Sequence, residues 1–205
     1  MNNINDFLVN DISKFKNYVV ICEDFYNNPF SVFKNSLETG YDSDWPYGAR
    51  TVAFNNQHIV PNIVKHLPHS ADTSVQFTAI DGGASGSFLK LTKNRYGSWN
   101  HIDTCQTDST LWAAVVYMHP FPILESGTNL NSYKNTSYKH IDSYTDEEKE
   151  LHTKDNNRWF NNIYSSNVFN KIIIYNGNNF HAPAQPFGHT LFNCRTANTF
   201  FLTMI

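Results

Sequence analysis

Cysteine is scarce in this chain. Its 205 residues contain three, Cys22, Cys105 and Cys194, far apart and with no CxxC pair. An odd, scattered set argues against a disulfide scaffold and a cysteine-rich zinc site, and reduced thiols fit a cytosolic setting. Long basic runs are missing too, and the net charge is −3 with histidine neutral. That argues against a broad phosphate-binding surface and against duplex nucleic acid as a partner, while leaving a local basic groove open. No apolar run approaches the ~20 residues that cross a bilayer. The N-terminus, MNNINDFLVNDISKF, lacks the basic start and apolar stretch of a secretory signal. These absences lead to the expectation of a cytoplasmic protein without a membrane partner. No internal repeat, low-complexity tract or linker divides the chain. One domain is expected over residues 1–205, with 1–70 as N-terminal strand and helix support and 71–205 as the core.

What is present is aromatic. Sixteen Phe and eleven Tyr lean toward β structure, because flat rings pack well on a pleated surface. YVVICE at 18–23 reads as a strand. Asn28-Pro29 then reads as an N-cap followed by proline at the first helical position. Phe30, Phe33 and Leu37 follow at helical spacing, and Ile59, Val60, Ile63, Val64 and Leu67 mark a second short helix. After residue 70 short β-like runs succeed one another at 74–80, 87–92, 111–118, 128–133, 170–175 and 195–204, separated by turn-rich segments. The charged stretch 144–164 interrupts them and is expected to form a helix or excursion. Helices first and many short strands afterwards predict a mainly β (α+β) fold, a β-sandwich or barrel with N-terminal helices packed outside it.

Two residues carry the strongest chemical signal. In SWNHIDT, His101 and Asp103 are two apart, so in an extended strand they project from one face and converge on one point. An HxD triplet is common by chance and needs a third ligand. His181, in IIIYNGNNFHAP, follows an apolar strand and a turn and is the best third ligand; the alternative is a histidine hydrogen-bonded in a turn. Two His and one carboxylate make a facial triad that leaves three octahedral positions open, as in non-haem iron(II) oxygenases. Arg195 lies fourteen residues beyond His181 and opens the last strand. Projecting into a barrel it would need an anionic partner, which a dicarboxylate supplies through a bidentate contact; the alternative is an exposed strand-start arginine. Thr199 shares its face by period-two counting and adds a hydroxyl.

Together these residues resemble the 2-oxoglutarate/iron(II)-dependent oxygenase superfamily, in its prolyl-4-hydroxylase-like branch. The resemblance runs over about residues 74–205, as HxD (His101 to Asp103), then the distal His181, then Arg195 at the start of the final strand. WAAVVYMHP resembles the strand whose tyrosine, here Tyr117, holds the far carboxylate of 2-oxoglutarate, and ESGT at 125–128 resembles the Gly-Gly-Thr turn after it. VVICEDFYNNPFSVF, the YGART run at 47–51 and FHAP resemble an uncharacterised bacterial and phage branch. The resemblance implies a double-stranded β-helix (jelly-roll), iron(II) on His101, Asp103 and His181, and 2-oxoglutarate as cosubstrate on Arg195, Tyr117 and Thr199. It also implies hydroxylation of an unidentified substrate with release of succinate and CO2, Asp103 favouring this over halogenation.

Two departures stand out. The gap between His181 and Arg195 is long, so the loop 183–194 must bulge or Arg195 is misassigned. No clear tyrosine precedes the HxD, Tyr96 being a substitute after a register shift. The segment 134–165 is a candidate lid. Two other functions stay open: a non-catalytic phage accessory or ligand-binding jelly-roll, and a cupin-type metal enzyme to which His189 would add an imidazole.

Overall fold

The computed structural model of the chain describes residues 18–42, 48–52, 57–67, 76–79, 85–93, 100, 101, 103, 112–133, 159–177 and 179–204. Its elements are β1 (Val19–Cys22), α1 (Pro29–Glu38), β2 (Ala49–Arg50), α2 (Val60–Val64), β3 (Phe77–Ala79), β4 (Ser87–Leu91), β5 (Trp112–Tyr117), β6 (Thr128–Tyr133), β7 (Trp159–Ser165), β8 (Ile172–Asn176), β9 (Phe180–Pro183) and β10 (Arg195–Met204). Seven strands form a large sheet in the order β1-β8-β5-β10-β4-β2, with β3 also on β10. The small sheet runs β7-β6-β9, and the segment at His101 adds a bridge to β9. Every pairing is antiparallel.

Along the sequence the chain passes from β4 in the large sheet to His101 beside the small one, then to β5, to the β6–β7 hairpin, to β8, to β9 and to β10. This alternation between facing sheets is a jelly-roll, as the sequence leads one to expect. The early segment adds strands at both edges, β1 on β8 and β2 on β4.

Local chemistry explains the outer elements. Asn28 Oδ1 accepts from Ser31 N–H at 3.3 Å and Pro29 sits in the first turn of α1. Val60, Ile63 and Leu67 of the second helical segment are all buried. They pack with Phe33 on one face of the large sheet, against Trp112, Ala114, Val116, Ile172, Ile174, Phe200 and Leu202. The opposite face presents Ala113, Val115, Tyr117, Ile173, Tyr175 and Ala197, with Leu130 of the small sheet packed against them. All six residues of β5 are therefore buried; covered on both faces, the strand reads as an unbroken apolar run.

One expectation needs correction. Within the charged stretch 144–164, residues 159–164 are not helical. They belong to β7, which pairs with β6 from Tyr133↔Trp159 to Thr128↔Ser165. Alternation there is blurred by polar Asn161 and Asn162 on an exposed strand, and by a register shift between Leu130 and Asn131 on the partner. Most of the candidate lid, and Tyr96, lie outside the described residues. Among the described residues no helix is long and apolar enough to cross a membrane.

Candidate metal centre

Backbone pairing brings the two histidines together. His101 N–H donates to His181 O at 3.0 Å and His181 N–H donates to His101 O at 2.9 Å. This reciprocal pair makes them direct cross-strand neighbours whose side chains share a face, with ring centroids 4.1 Å apart. Two residues on, Asp103 N–H donates to Gly177 O at 2.9 Å, and its carboxylate lies beside both imidazoles. His181 Nε2 lies 3.2 Å from Asp103 Oδ2 and His101 Nε2 lies 3.7 Å from Asp103 Oδ1. The three donor atoms all fall within 4.8 Å of one another, and the three residues are the one such group of His, Cys, Asp or Glu among the described residues.

Neighbours prepare these donors. His181 Nδ1 faces Asn179 O at 3.1 Å. The carbonyl can only accept, so Nδ1–H donates to it and Nε2 is the nitrogen turned toward Asp103. Tyr175 was not foreseen as a site residue. Its hydroxyl donates to Asp103 Oδ2 at 3.4 Å, and its ring packs on His181 with centroids 4.8 Å apart. Burial, reinforced by the Asp103 charge, holds its phenol well above the usual tyrosine range, so it stays a donor. Its signal in the sequence was its place in IIIYN, inward like Ile173 by period-two counting. Exposure is uneven across the centre: the side chain of His101 is 40% exposed, against 13% for Asp103 and 7% for His181.

Arg195 is 2% exposed and aligned on the inward face with Ala197. Its Nε donates to Ser126 O at 2.7 Å, and Nη2 reaches Gly127 O at 3.3 Å and Thr128 Oγ1 at 3.4 Å. Tyr117 lies beside it, the guanidinium 5.6 Å from the ring centroid. The Tyr117 hydroxyl is 2.9 Å from Thr128 Oγ1 and 3.2 Å from Ser165 O. Burial pushes this phenol up, while the Arg195 charge opposes the shift. Thr199 is inward as period two requires, and its Oγ1 approaches Ser87 O at 3.4 Å.

The long gap before Arg195 has a structural answer. The extra residues before Arg195 form a loop closed on itself. Asn193 Oδ1 accepts from His189 N–H, Thr190 N–H and the Thr190 hydroxyl, and Gly188 turns the chain with φ of +72°, where a Cβ would meet Asn193 O at 1.8 Å. His189 is exposed on this loop and is not in the donor cluster. At the ESGT turn, Ser126 stands in place of a glycine. Its hydroxyl donates to Ile123 O at 2.6 Å and accepts from Asn167 Nδ2 at 2.8 Å, while its carbonyl orients Arg195. Gly127 is required, since a Cβ there would lie 1.7 Å from Ser165 O.

No protein-family model and no curated protein matches the sequence. Solved structures match the fold. HygX from Streptomyces hygroscopicus, with nickel, 2-oxoglutarate and hygromycin B bound, aligns with a TM-score of 0.54 at 11% identity, over 95% of this chain and 85% of that one. A 2OG-Fe(II) oxygenase family oxidoreductase from Burkholderia pseudomallei gives 0.55 at 8% identity, over 95% and 89%. SnoN, a non-haem α-ketoglutarate-dependent epimerase from nogalamycin biosynthesis, gives 0.53 at 10% identity, over 95% and 84%. The chain has the jelly-roll fold that these proteins share.

Proposed function

We propose that this chain, which carries that fold, is an iron(II)- and 2-oxoglutarate-dependent oxygenase. The observation behind the reading is the convergence of His101, Asp103 and His181, brought together across an antiparallel bridge between the His101 segment and β9. The donor set suits a divalent first-row ion: two neutral imidazoles and one carboxylate occupy one face of an octahedron and leave the other open. Donors bound at about 2.1 Å and at right angles sit about 3 Å apart, close to the 3.2 and 3.7 Å found between Asp103 and the histidines. When bound, the iron supplies dioxygen activation coupled to decarboxylation of the 2-oxo acid.

The protein's own residues do the rest. Arg195, oriented by the Ser126 and Gly127 carbonyls, anchors the far carboxylate of the cosubstrate, with Tyr117 and Thr128 beside it as hydroxyl partners and Thr199 further along the same face. Tyr175 holds Asp103 in place. Small inward side chains, Ala113 and Ala197, keep the space between the sheets open for the cosubstrate. The outcome we assign is hydroxylation, with release of succinate and CO2. An epimerase among the proteins of this fold means that the fold alone does not choose the outcome.

The test needs no primary substrate. Anaerobic loading with iron(II) and then 2-oxoglutarate should give a visible charge-transfer band, and admission of air should give slow uncoupled succinate release. Asp103→Ala should lose both. Folded, iron-loaded wild type with neither signal would favour a non-catalytic jelly-roll instead.

A further inference from the structure

The small sheet faces the space between the sheets with two rows of side chains. In the first row, Leu130 of β6 stands opposite His181 of β9 on one side and Ile163 of β7 on the other. Leu130 and Ile163 both pack against the inward face of the large sheet. Two residues along β6, Thr128 stands opposite Pro183 of β9 and Ser165 of β7. Period two turns this second row to the same face as the first, about 7 Å along the strand from the row of His181. That step suits a five-carbon 2-oxo diacid with its oxo end at the metal and its far carboxylate at the second row.

Ser165 is turned inward on two counts. It lies two residues beyond Ile163 on β7. It is also directly opposite Thr128, whose Oγ1 meets the Tyr117 hydroxyl at 2.9 Å and Arg195 Nη2 at 3.4 Å, and directly opposite residues share a face. Its side chain is thus on the side of the arginine and tyrosine assigned to the far carboxylate. The donors there differ in what they already meet. Arg195 donates through Nε to Ser126 O and through Nη2 to Gly127 O. The Tyr117 hydroxyl has Thr128 Oγ1 and Ser165 O as partners. The Ser165 hydroxyl, on a residue 1% exposed, has no hydrogen-bond partner. An unpaired buried hydroxyl costs free energy, so a retained one calls for a partner that arrives from outside the fold.

Asn167 Oδ1 is unpaired as well, but its chemistry differs. The Ser126 hydroxyl donates to Ile123 O, so toward Asn167 it can only accept, and the amide nitrogen faces it at 2.8 Å. The oxygen left over is an acceptor and cannot meet a carboxylate. The Ser165 O–H can.

We infer that Ser165 is a cosubstrate-binding residue, its hydroxyl donating to the far carboxylate of 2-oxoglutarate beside Arg195. The inference rests on the oxygenase reading and deepens it: β7 supplies a donor that selects 2-oxo diacids over metal chelators without a far carboxylate.

The test compares wild type, Ser165→Ala and Ser165→Cys by calorimetry. Each nickel(II)-loaded protein is titrated with 2-oxoglutarate and with oxalate, which chelates the metal and has no far carboxylate. A hydrogen bond to a charged group corresponds to about 10- to 100-fold in affinity. Ser165→Ala should lose about that much for 2-oxoglutarate and keep its oxalate affinity within about twofold. Metal-free Ser165→Ala should melt at or above wild type, since the hydroxyl it removes meets nothing there. Unchanged 2-oxoglutarate affinity overturns the inference, and so does equal weakening for both ligands. A lower melting temperature with unchanged 2-oxoglutarate affinity gives the hydroxyl to the fold instead. If Ser165→Ala does not fold, Ser165→Cys, similar in shape and a weaker donor, must show the selective loss, and its absence overturns the inference equally. Wild type that binds neither nickel nor 2-oxoglutarate defeats the oxygenase reading and this inference with it. Wild type that binds both, beside a Ser165→Ala that binds 2-oxoglutarate equally well, defeats the inference alone.

Discussion

The two faces of the large sheet are built from the same strands and differ in everything else. The outward face of β5, β8 and β10 carries Trp112, Ala114, Val116, Ile172, Ile174, Phe200 and Leu202 under the two helices. The inward face of those strands carries Ala113, Val115, Tyr117, Ile173, Tyr175, Arg195, Ala197 and Thr199. Large branched and aromatic groups gather on one side, under the helices. On the other, small alanines alternate with residues that carry polar heads. Period-two geometry lets one strand carry stabilising packing on one face and the residues of the candidate site on the other, one residue apart.

The sharpest way to break this comparison is to strike each face separately. Asp103→Ala should abolish tight metal binding, read by metal analysis after dialysis, while unfolding of the metal-free protein shifts by no more than a few degrees. Phe200→Ala, on the outward side, should destabilise by about 3–5 kcal/mol in urea unfolding while leaving metal affinity of the folded fraction near wild type. If Phe200→Ala instead costs metal affinity and little stability, the division of labour is wrong.

A finer probe is Tyr175→Phe, which removes only the hydroxyl behind Asp103. Loss of an orienting partner of this kind costs about 10- to 100-fold in metal affinity, and stability should change by only about 1 kcal/mol. Equal metal affinity in wild type and variant would reduce Tyr175 to packing. The smallest effect concerns His119, at the outward end of β5. Burial lowers its pKa, and Phe121 N–H donates to its Nδ1 at 3.2 Å. With the folded pKa below the unfolded value of about 6.5, the unfolded chain binds more protons. Stability is then full above about pH 6.5 and falls as the pH drops toward the depressed native value. A melting temperature lower at pH 5.5 than at 7.5 is expected, with a smaller drop in His119→Gln.

Much of the fold was legible because its signals are local. Asn28-Pro29 caps α1 as its side-chain chemistry dictates, and the apolar runs at 112–117 and 172–175 are strands. β7 was not legible: its polar, exposed residues earn their conformation from hydrogen bonds to β6, a partner that no short window contains. At the site, the HxD spacing placed His101 and Asp103 on one face. The partner of that pair was harder, since His181 and a turn histidine look alike until β9 is paired. Tyr175 carries no motif of its own. Its role depends on which face the register turns inward, and a one-residue slip would reverse that choice.

Sequence alone determined the alternation of apolar and polar residues, the HxD pair, the glycines at turns and close approaches, and an arginine opening the last strand. Tertiary structure alone decided that residues 101 and 181 bridge through reciprocal backbone hydrogen bonds, that Asn179 O meets His181 Nδ1, and that Arg195 is buried against the Ser126 and Gly127 carbonyls. The physical reason is that strand periodicity specifies a face, whereas only long-range hydrogen bonding between strands decides what that face meets.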